Sequence, residues 1–390
     1  MHSIRRATPP WSFLVCVTLL WLTGLSLRVS ILALPPLIRL IHDDLGLTET
    51  EIGILSALPS VLFGLAAVPG SVLIANFGAI MVVITGLLVT ALGCALRGAA
   101  QDFGLLCAAT VLSCVGVAIM QPTMPLLVRA WLPERIGFGT AVYTNGLLVG
   151  DIIPVVLTAP LVLPLVGESW RLAFVVWSLP YAALAILVLG FAPRPSVRAQ
   201  FAARLRWVPD WRSGLIWRLG LMFGATNGTY FSANAFIPDY LHQLGRPDLI
   251  GPTLSALNVG VLPSSVLLIV CAGPLIGRAS PYVACGAMSL ACIVGILLGN
   301  GWIIVAAAGG LGFATAASLT LILALPPRLT AAGDTGHMTA GMFTIGYLSA
   351  VVVSALSGLF WDASGVPAAA FVPIGLCNFL LIGFAPAVRH

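Results

Sequence analysis

The chain contains no lysine: all 18 of its basic residues are arginine. Charge of either sign is scarce, at 8% of residues against 59% hydrophobic, and the mean hydropathy is +1.06. That balance excludes a water-soluble domain and describes an integral membrane protein. Only residues 192–214, APRPSVRAQFAARLRWVPDWRSG, form a long polar interruption, so no length remains for a soluble catalytic head. Without lysine there is no P-loop, and ATP coupling within the chain has no support. The eight cysteines (16, 94, 107, 114, 271, 285, 292 and 377) show neither a C-x-x-C pair nor a Cys/His spacing. Disulfides, a metal site and a cofactor are therefore not expected. No order or spacing supports a Ser/His/Asp nucleophile, so an enzyme is not expected either.

What the chain does have is apolar runs, at about 11–38, 51–75, 79–96, 103–128, 138–166, 170–192, 214–238, 251–276, 281–299, 301–326, 338–361 and 366–387. Each is long enough to cross a bilayer as a helix, for which about 20 residues suffice. A transmembrane β-barrel would alternate apolar and polar residues, whereas these runs are apolar all round. The reading is an all-α membrane protein of twelve transmembrane helices. The first run is too long for a signal-peptide core and carries an arginine, so it is expected to stay in the mature protein.

The arginines orient the chain. Segments on the N-terminal side hold Arg5, Arg6, Arg129, Arg135, Arg278, Arg328, Arg389 and the six arginines of 194–218. Opposite segments hold only Arg39, Arg97, Arg171 and Arg246. By the positive-inside rule both termini face the cytoplasm, in a cell inner (plasma) membrane. The net charge of +5 thus reports topology, not nucleic-acid binding. The polar interruption leaves six runs on each side: 1–193 is read as one six-helix bundle, 194–213 as a cytoplasmic linker and 214–390 as a second bundle. Rich in Arg, Trp and Phe, the linker can lie as an amphipathic helix on the anionic inner leaflet. A faint duplication agrees: GFGTAVYTNG (137–146) opens the fifth run as GHMTAGMFTIG (336–346) opens the eleventh.

Two ionisable residues lie away from the run ends. Arg28, in LSLRVSILALPPL, offers five donors in a planar fork that suits a carboxylate or another small planar anion. A charge there costs about 2.5–3.5 kcal/mol on insertion scales, so it should face protein or a wet cavity. Asp151, in GLLVGDIIPVV, is the candidate coupling or gating carboxylate, able to exchange a proton as its partner comes and goes. The alternative for both is a purely structural pair. Asn227, Tyr230 and Asn234 share one face of the seventh helix and either line the substrate path or bond neighbouring helices. Gln121, Thr123, Asn145, Asn258 and Tyr347, neutral hydrogen-bonders inside apolar runs, carry the same two readings, substrate lining or inter-helix bonding. Pro122 and Pro125 should kink the fourth helix and free carbonyls towards a cavity. Arg97 and Arg129, at run ends, read as topology or interface residues. Gly146 and Gly150 are spaced for close helix packing.

LSLRVSILALPPLI, GVAIMQPTMPLLVRAWLPERIGFGTAVYTNG, ESWRLAFVVW and GYLSAVVVSALSGLFWDASG together resemble the cyanate porter family of the major facilitator superfamily. The most specific pieces are Ser26-Leu27-Arg28 followed by Pro35-Pro36, and the Pro133-Glu134-Arg135-x-Gly137 turn leading to Thr140 and Tyr143. The resemblance covers essentially the whole chain. It implies two six-helix bundles rocking about a central site, and transport of cyanate-like anions or small organic acids, by symport or antiport, with protons as an open coupling candidate. The alternative it carries is export of small nitro-heterocycles. An alternative of another class is a non-transporting solute sensor or assembly partner. The partners expected are a small-molecule substrate and the lipid bilayer, with a monomer favoured. Two departures stand out: Ser26 and Val29 replace the family's Asn and Pro around the arginine, and IANFGAIM (74–81) lacks the charges with which many relatives lock one conformation.

Overall fold

A computed structural model describes residues 10–47, 49–193, 209–330 and 334–388. Among these the chain is helical, with no strand. Twelve rods follow in order: α1 (Pro10–Leu32), α2 (Glu49–Phe77), α3 (Ala79–Gly98), α4 (Phe103–Met120 continued by Thr123–Trp131), α5 (Ile136–Leu157) and α6 (Trp170–Phe191), then α7 (Gly214–Gln243), α8 (Ile250–Val259 continued by Val261–Leu275), α9 (Ala279–Leu298), α10 (Trp302–Leu323), α11 (Thr335–Ser364) and α12 (Phe371–Phe384). Eleven are long and apolar enough to cross a membrane. The twelfth, α7, has 30 residues and a more polar face. At about 1.5 Å per residue it too exceeds the ~30 Å hydrocarbon layer. The linker residues 194–208, on which the amphipathic-helix expectation falls, lie outside the described residues.

Packing repeats between the halves. In the first bundle α1 lies on α5, α3 on α4 and α6, and α2 on α4; in the second α7 lies on α11, α9 on α10 and α12, and α8 on α10. Across the midline α2 packs on α11 and α5 on α8, which is one contact made twice by the pseudo-two-fold. The result is two six-helix bundles, and twelve crossings return Val388 to the face on which Pro10 begins.

Prolines set two departures from the apolar runs. The run 11–38 is not one helix: α1 stops at Leu32, Pro35 to Leu37 form a 3-10 turn, and Ile38–Leu45 make a short amphipathic helix closed by Gly46 at φ 61°. Pro35 and Pro36 have no N–H to continue the ladder. In α4 the break falls at Gln121-Pro122, as the prolines predict, but the Met120 carbonyl is taken by the Thr123 hydroxyl at 2.5 Å instead of facing a cavity. Thr123 therefore serves its own backbone.

Glycine sets a close interface between α1 and α5. A Cβ on Gly146 would lie 2.2 Å from the Trp21 carbonyl oxygen, and one on Gly150 2.4 Å from that of Leu25. Only glycine admits so close an approach of α5 to α1. The register it imposes carries Arg28, one turn beyond Leu25, towards Asp151, the residue after Gly150.

On the face away from the termini, Asp44 gathers three segments of the first bundle. Its Oδ2 accepts from the Arg171 guanidinium and from Trp170 Nε1 at 3.1 Å, while Arg171 also reaches the Ala100 carbonyl. The guanidinium lies 4.3 Å above the Trp170 ring. Hydrogen bonding to Arg171 holds the Asp44 carboxyl below the usual carboxylate range. A carboxylate lowered on folding contributes stability above its unfolded pKa, near 4, and loses it as pH falls through the folded value. Thermal unfolding in detergent should therefore show wild type losing stability below about pH 4 more steeply than Asp44→Asn. The difference should be small, because the pair is exposed.

Candidate substrate site between the bundles

Arg28 and Asp151 meet near the middle of the molecule, with Arg28 Nε 3.6 Å from Asp151 Oδ1 and side-chain exposures of 9% and 22%. At that length the contact is an ion pair and not a hydrogen bond. Nε has no hydrogen-bond partner although it is buried. The guanidinium carbon sits 5.6 Å from the centre of the Phe63 ring of α2, a cation–π contact.

Beside Arg28 is a cavity of about 10 Å³, lined from the first bundle by Arg28, Gln121 and Tyr143 and from the second by Phe223, Phe343 and Tyr347. It has room for roughly one water, so the site is nearly closed. The Tyr347 hydroxyl donates to Gln121 Oε1 at 2.9 Å, joining α11 to the break in α4. That bond leaves Gln121 Nε2 buried without a partner, and the Tyr143 hydroxyl is buried and unpartnered as well. Arg28, Gln121 and Tyr143 thus bring donor capacity to one spot. Aromatic rings wall it, with the Tyr347 centroid 5.2 Å from that of Phe63 and 5.3 Å from that of Phe223.

The remaining sequence candidates sort into three places. Asn145 accepts from Trp21 Nε1 at 2.9 Å and donates to Ser265 Oγ at 2.8 Å, which ties α5 to α8 across the midline. Tyr230 donates to Asn258, whose amide nitrogen reaches Asn234 Oδ1 at 2.9 Å. This chain links α7 to α8, and Tyr230 lies within electrostatic reach of Asp151 and Arg28. Asn227 returns its amide to the Phe223 carbonyl on its own helix and does not line the cavity. Tyr143 belongs to the family-like turn in sequence, yet nothing in its spacing marks it as a cavity residue; its neighbours from α11 do that.

Two arginines behave differently from their run-end positions. Arg97 is 1% exposed in the last turn of α3, with Nη1 on the Ser30 carbonyl at 2.7 Å, Nε on Thr110 Oγ1 at 3.1 Å and the Phe174 ring 5.5 Å away. It is a second buried cation, and among the described residues it has no carboxylate partner. Arg129 sends Nη1 across to the second bundle, to the carbonyls of Pro327 and Thr330 and the hydroxyl of Thr335. On the face carrying the chain ends the bundles are therefore clasped by a cation on neutral oxygens, in place of the charge lock that IANFGAIM lacks.

Twelve helices, a paired repeat and a polar site at the midline match a sequence finding: the Major Facilitator Superfamily pattern covers residues 17–354. The chain belongs to that superfamily. Among similar proteins, the cyanate transport protein CynX of Escherichia coli K12 is 26% identical over 88% of this chain and 89% of its own length. The 2-nitroimidazole transporter of the same organism is 23% identical over 60% of this chain and 58% of its own. Solved structures share the fold: the transporter FucP in its outward conformation matches at TM-score 0.76 and 16% identity, covering 97% of this chain and 100% of that one. The human organic anion transporter MFSD10 matches at TM-score 0.76 and 17% identity, covering 96% and 100%. As a member of this superfamily the chain is a multi-pass membrane transporter and not an enzyme.

The superfamily fold makes the α1–α5 contact testable. Gly150→Val should lower the melting temperature in detergent, by an overpacking cost of about 1–3 kcal/mol. Gly190→Val, where a Cβ meets nothing within 4 Å, should leave it near wild type.

Proposed function

We propose that this transporter moves a small anion across the inner membrane by alternating access, with Arg28 as its substrate-binding cation and Asp151 as the coupling carboxylate. The observation that carries the reading is the Arg28 guanidinium, buried between the bundles with Nε hydrogen-bonded to nothing and Asp151 at ion-pair distance. Gln121 and Tyr143 add unmet polar groups beside it, so the cavity is set to receive acceptor atoms. Asn145, Tyr230, Asn234, Asn258 and Tyr347 hold the surrounding helices, while Thr123 and Asn227 support the backbone. The relatives named for cyanate and 2-nitroimidazole are in keeping with a small planar solute.

Charge balance supplies the coupling. With Arg28 and Asp151 ionised the site is neutral, and an entering anion would leave one negative charge in low dielectric, which is costly. Protonation of Asp151 restores neutrality and releases Arg28 to the anion, so one proton travels with each substrate. Both termini are assigned to the cytoplasm, and the Arg129 clasp then closes the cytoplasmic face. Opening that face costs its three hydrogen bonds, each worth about 0.5–1.5 kcal/mol net, or somewhat more for a charged donor. A second reading, export of a small nitro-heterocycle, is favoured by the ring wall of Phe63, Phe223, Phe343 and Tyr347.

Uptake into proteoliposomes tests the assignment, with cyanate and 2-nitroimidazole offered separately. Arg28→Gln should reduce cyanate uptake at least tenfold, a loss of about 1.4 kcal/mol or more, in protein that remains folded in detergent. Uptake unchanged by this substitution would reject the role of Arg28. For Asp151→Asn, uptake should lose the pH dependence that wild type shows. A retained proton dependence would contradict the coupling role.

A further inference from the structure

Ser30 is fully buried one half-turn past Arg28, and every polar group it has is bonded to a different helix. In a regular α-helix the Ser30 N–H would bond the Ser26 carbonyl. Here the Tyr181 hydroxyl, from α6, stands at both ends of that rung, accepting from Ser30 N–H at 2.6 Å and donating to the Ser26 carbonyl at 2.8 Å. The Ser30 carbonyl should accept from Leu34 N–H, but that group turns to Ile31 O at 3.3 Å as the helix tightens ahead of Pro35. Arg97 Nη1, from α3, takes the vacated carbonyl at 2.7 Å. The Ser30 hydroxyl meets that of Ser113 on α4. Three helices of the first bundle thus grip one residue of α1.

Residues two apart on a helix point about 200° from one another, so Ser30 faces the bundle interior while Arg28 faces the midline. A grip on Ser30 therefore sets the rotation of the turn that presents Arg28. Simple cohesion does not call for this chemistry. A buried guanidinium without a carboxylate costs several kcal/mol, and an apolar side chain would fill the same space at less cost. A hydroxyl inserted at a helical rung bends the helix there and weakens its own ladder.

We infer that Tyr181 and Arg97 are positioning residues, which hold the Ser26–Ser30 turn of α1 so that Arg28 is aimed into the substrate cavity. The inference rests on Arg28 being the substrate-binding cation.

Tyr181→Phe deletes the bridging oxygen and lets Ser30 bond Ser26 directly. With cyanate as the probe in proteoliposome uptake, its KM should rise about tenfold, the scale expected when a binding group is misplaced by a fraction of an ångström to 1 Å. The melting temperature should stay at or above that of wild type, since the helix ladder closes. Arg97→Gln, which keeps one donor for the Ser30 carbonyl, should fall between wild type and Arg97→Met in KM. A double-variant cycle separates positioning from mere stability: in an Arg28→Gln background, Tyr181→Phe should have no further effect on KM. A wild-type KM for Tyr181→Phe, or an effect that persists undiminished without Arg28, overturns the inference. A wild-type KM for Arg28→Gln overturns instead the functional reading beneath it, and the two failures are distinguishable.

Discussion

A guanidinium in a hydrocarbon layer has to be met by protein, and the midline of this molecule is arranged around that requirement. Arg28, about one turn from the end of α1, is buried among helices, and lipid offers it nothing. It is met by a carboxylate from α5, an aromatic face from α2 and Tyr347 from α11 at the edge of the same cavity, three helices that converge only because the fold brings them there. The close approach of α1 and α5 through Gly146 and Gly150 is the condition for the pair. Bulkier residues at those positions would separate the two charges and leave each exposed to low dielectric.

The bundles repeat each other in packing but not in chemistry. Among the described residues, the buried arginines Arg28 and Arg97 and the half-buried Asp151 belong to the first, while the second supplies rings and amides through Phe223, Phe343, Tyr347 and the Tyr230, Asn258 and Asn234 chain. Such a division suits an alternating site. The charged partner keeps its electrostatics on one rigid body, and the other body closes over it with contacts that break at modest cost. Arg129 follows the same logic at the terminal face, where its acceptors are carbonyls and a hydroxyl from the α10–α11 connection.

Much of this was legible from residues alone. Twelve apolar runs became twelve helices because an unbroken apolar stretch of span length has no other way to satisfy its backbone in a bilayer. The Arg28–Asp151 pairing could be anticipated because both residues lie far from the ends of their runs and only another buried charge compensates each. Run-end position misled for Arg97. Its distance from the end of α3 says nothing about α6 and α4 closing over it, and its acceptors, a carbonyl and a hydroxyl, leave no charge pattern to find. The kink at Gln121-Pro122 was visible, whereas the Thr123 hydroxyl that absorbs the freed carbonyl depends on local rotamer geometry.

Hydropathy and arginine placement determined by themselves that the chain crosses a membrane many times, and Arg28 and Asp151 by their rarity marked an ion pair within the spans. These are decided by transfer free energy, which acts residue by residue and needs no knowledge of neighbours. Which polar side chains point into the cavity was decided only by tertiary structure. Tyr143 and Gln121 enter it, Asn227 does not, and Ser30 is gripped on three sides, because helix rotation is set by packing against other helices. A membrane span that is apolar all round carries too weak an amphipathic signal to reveal that rotation in advance.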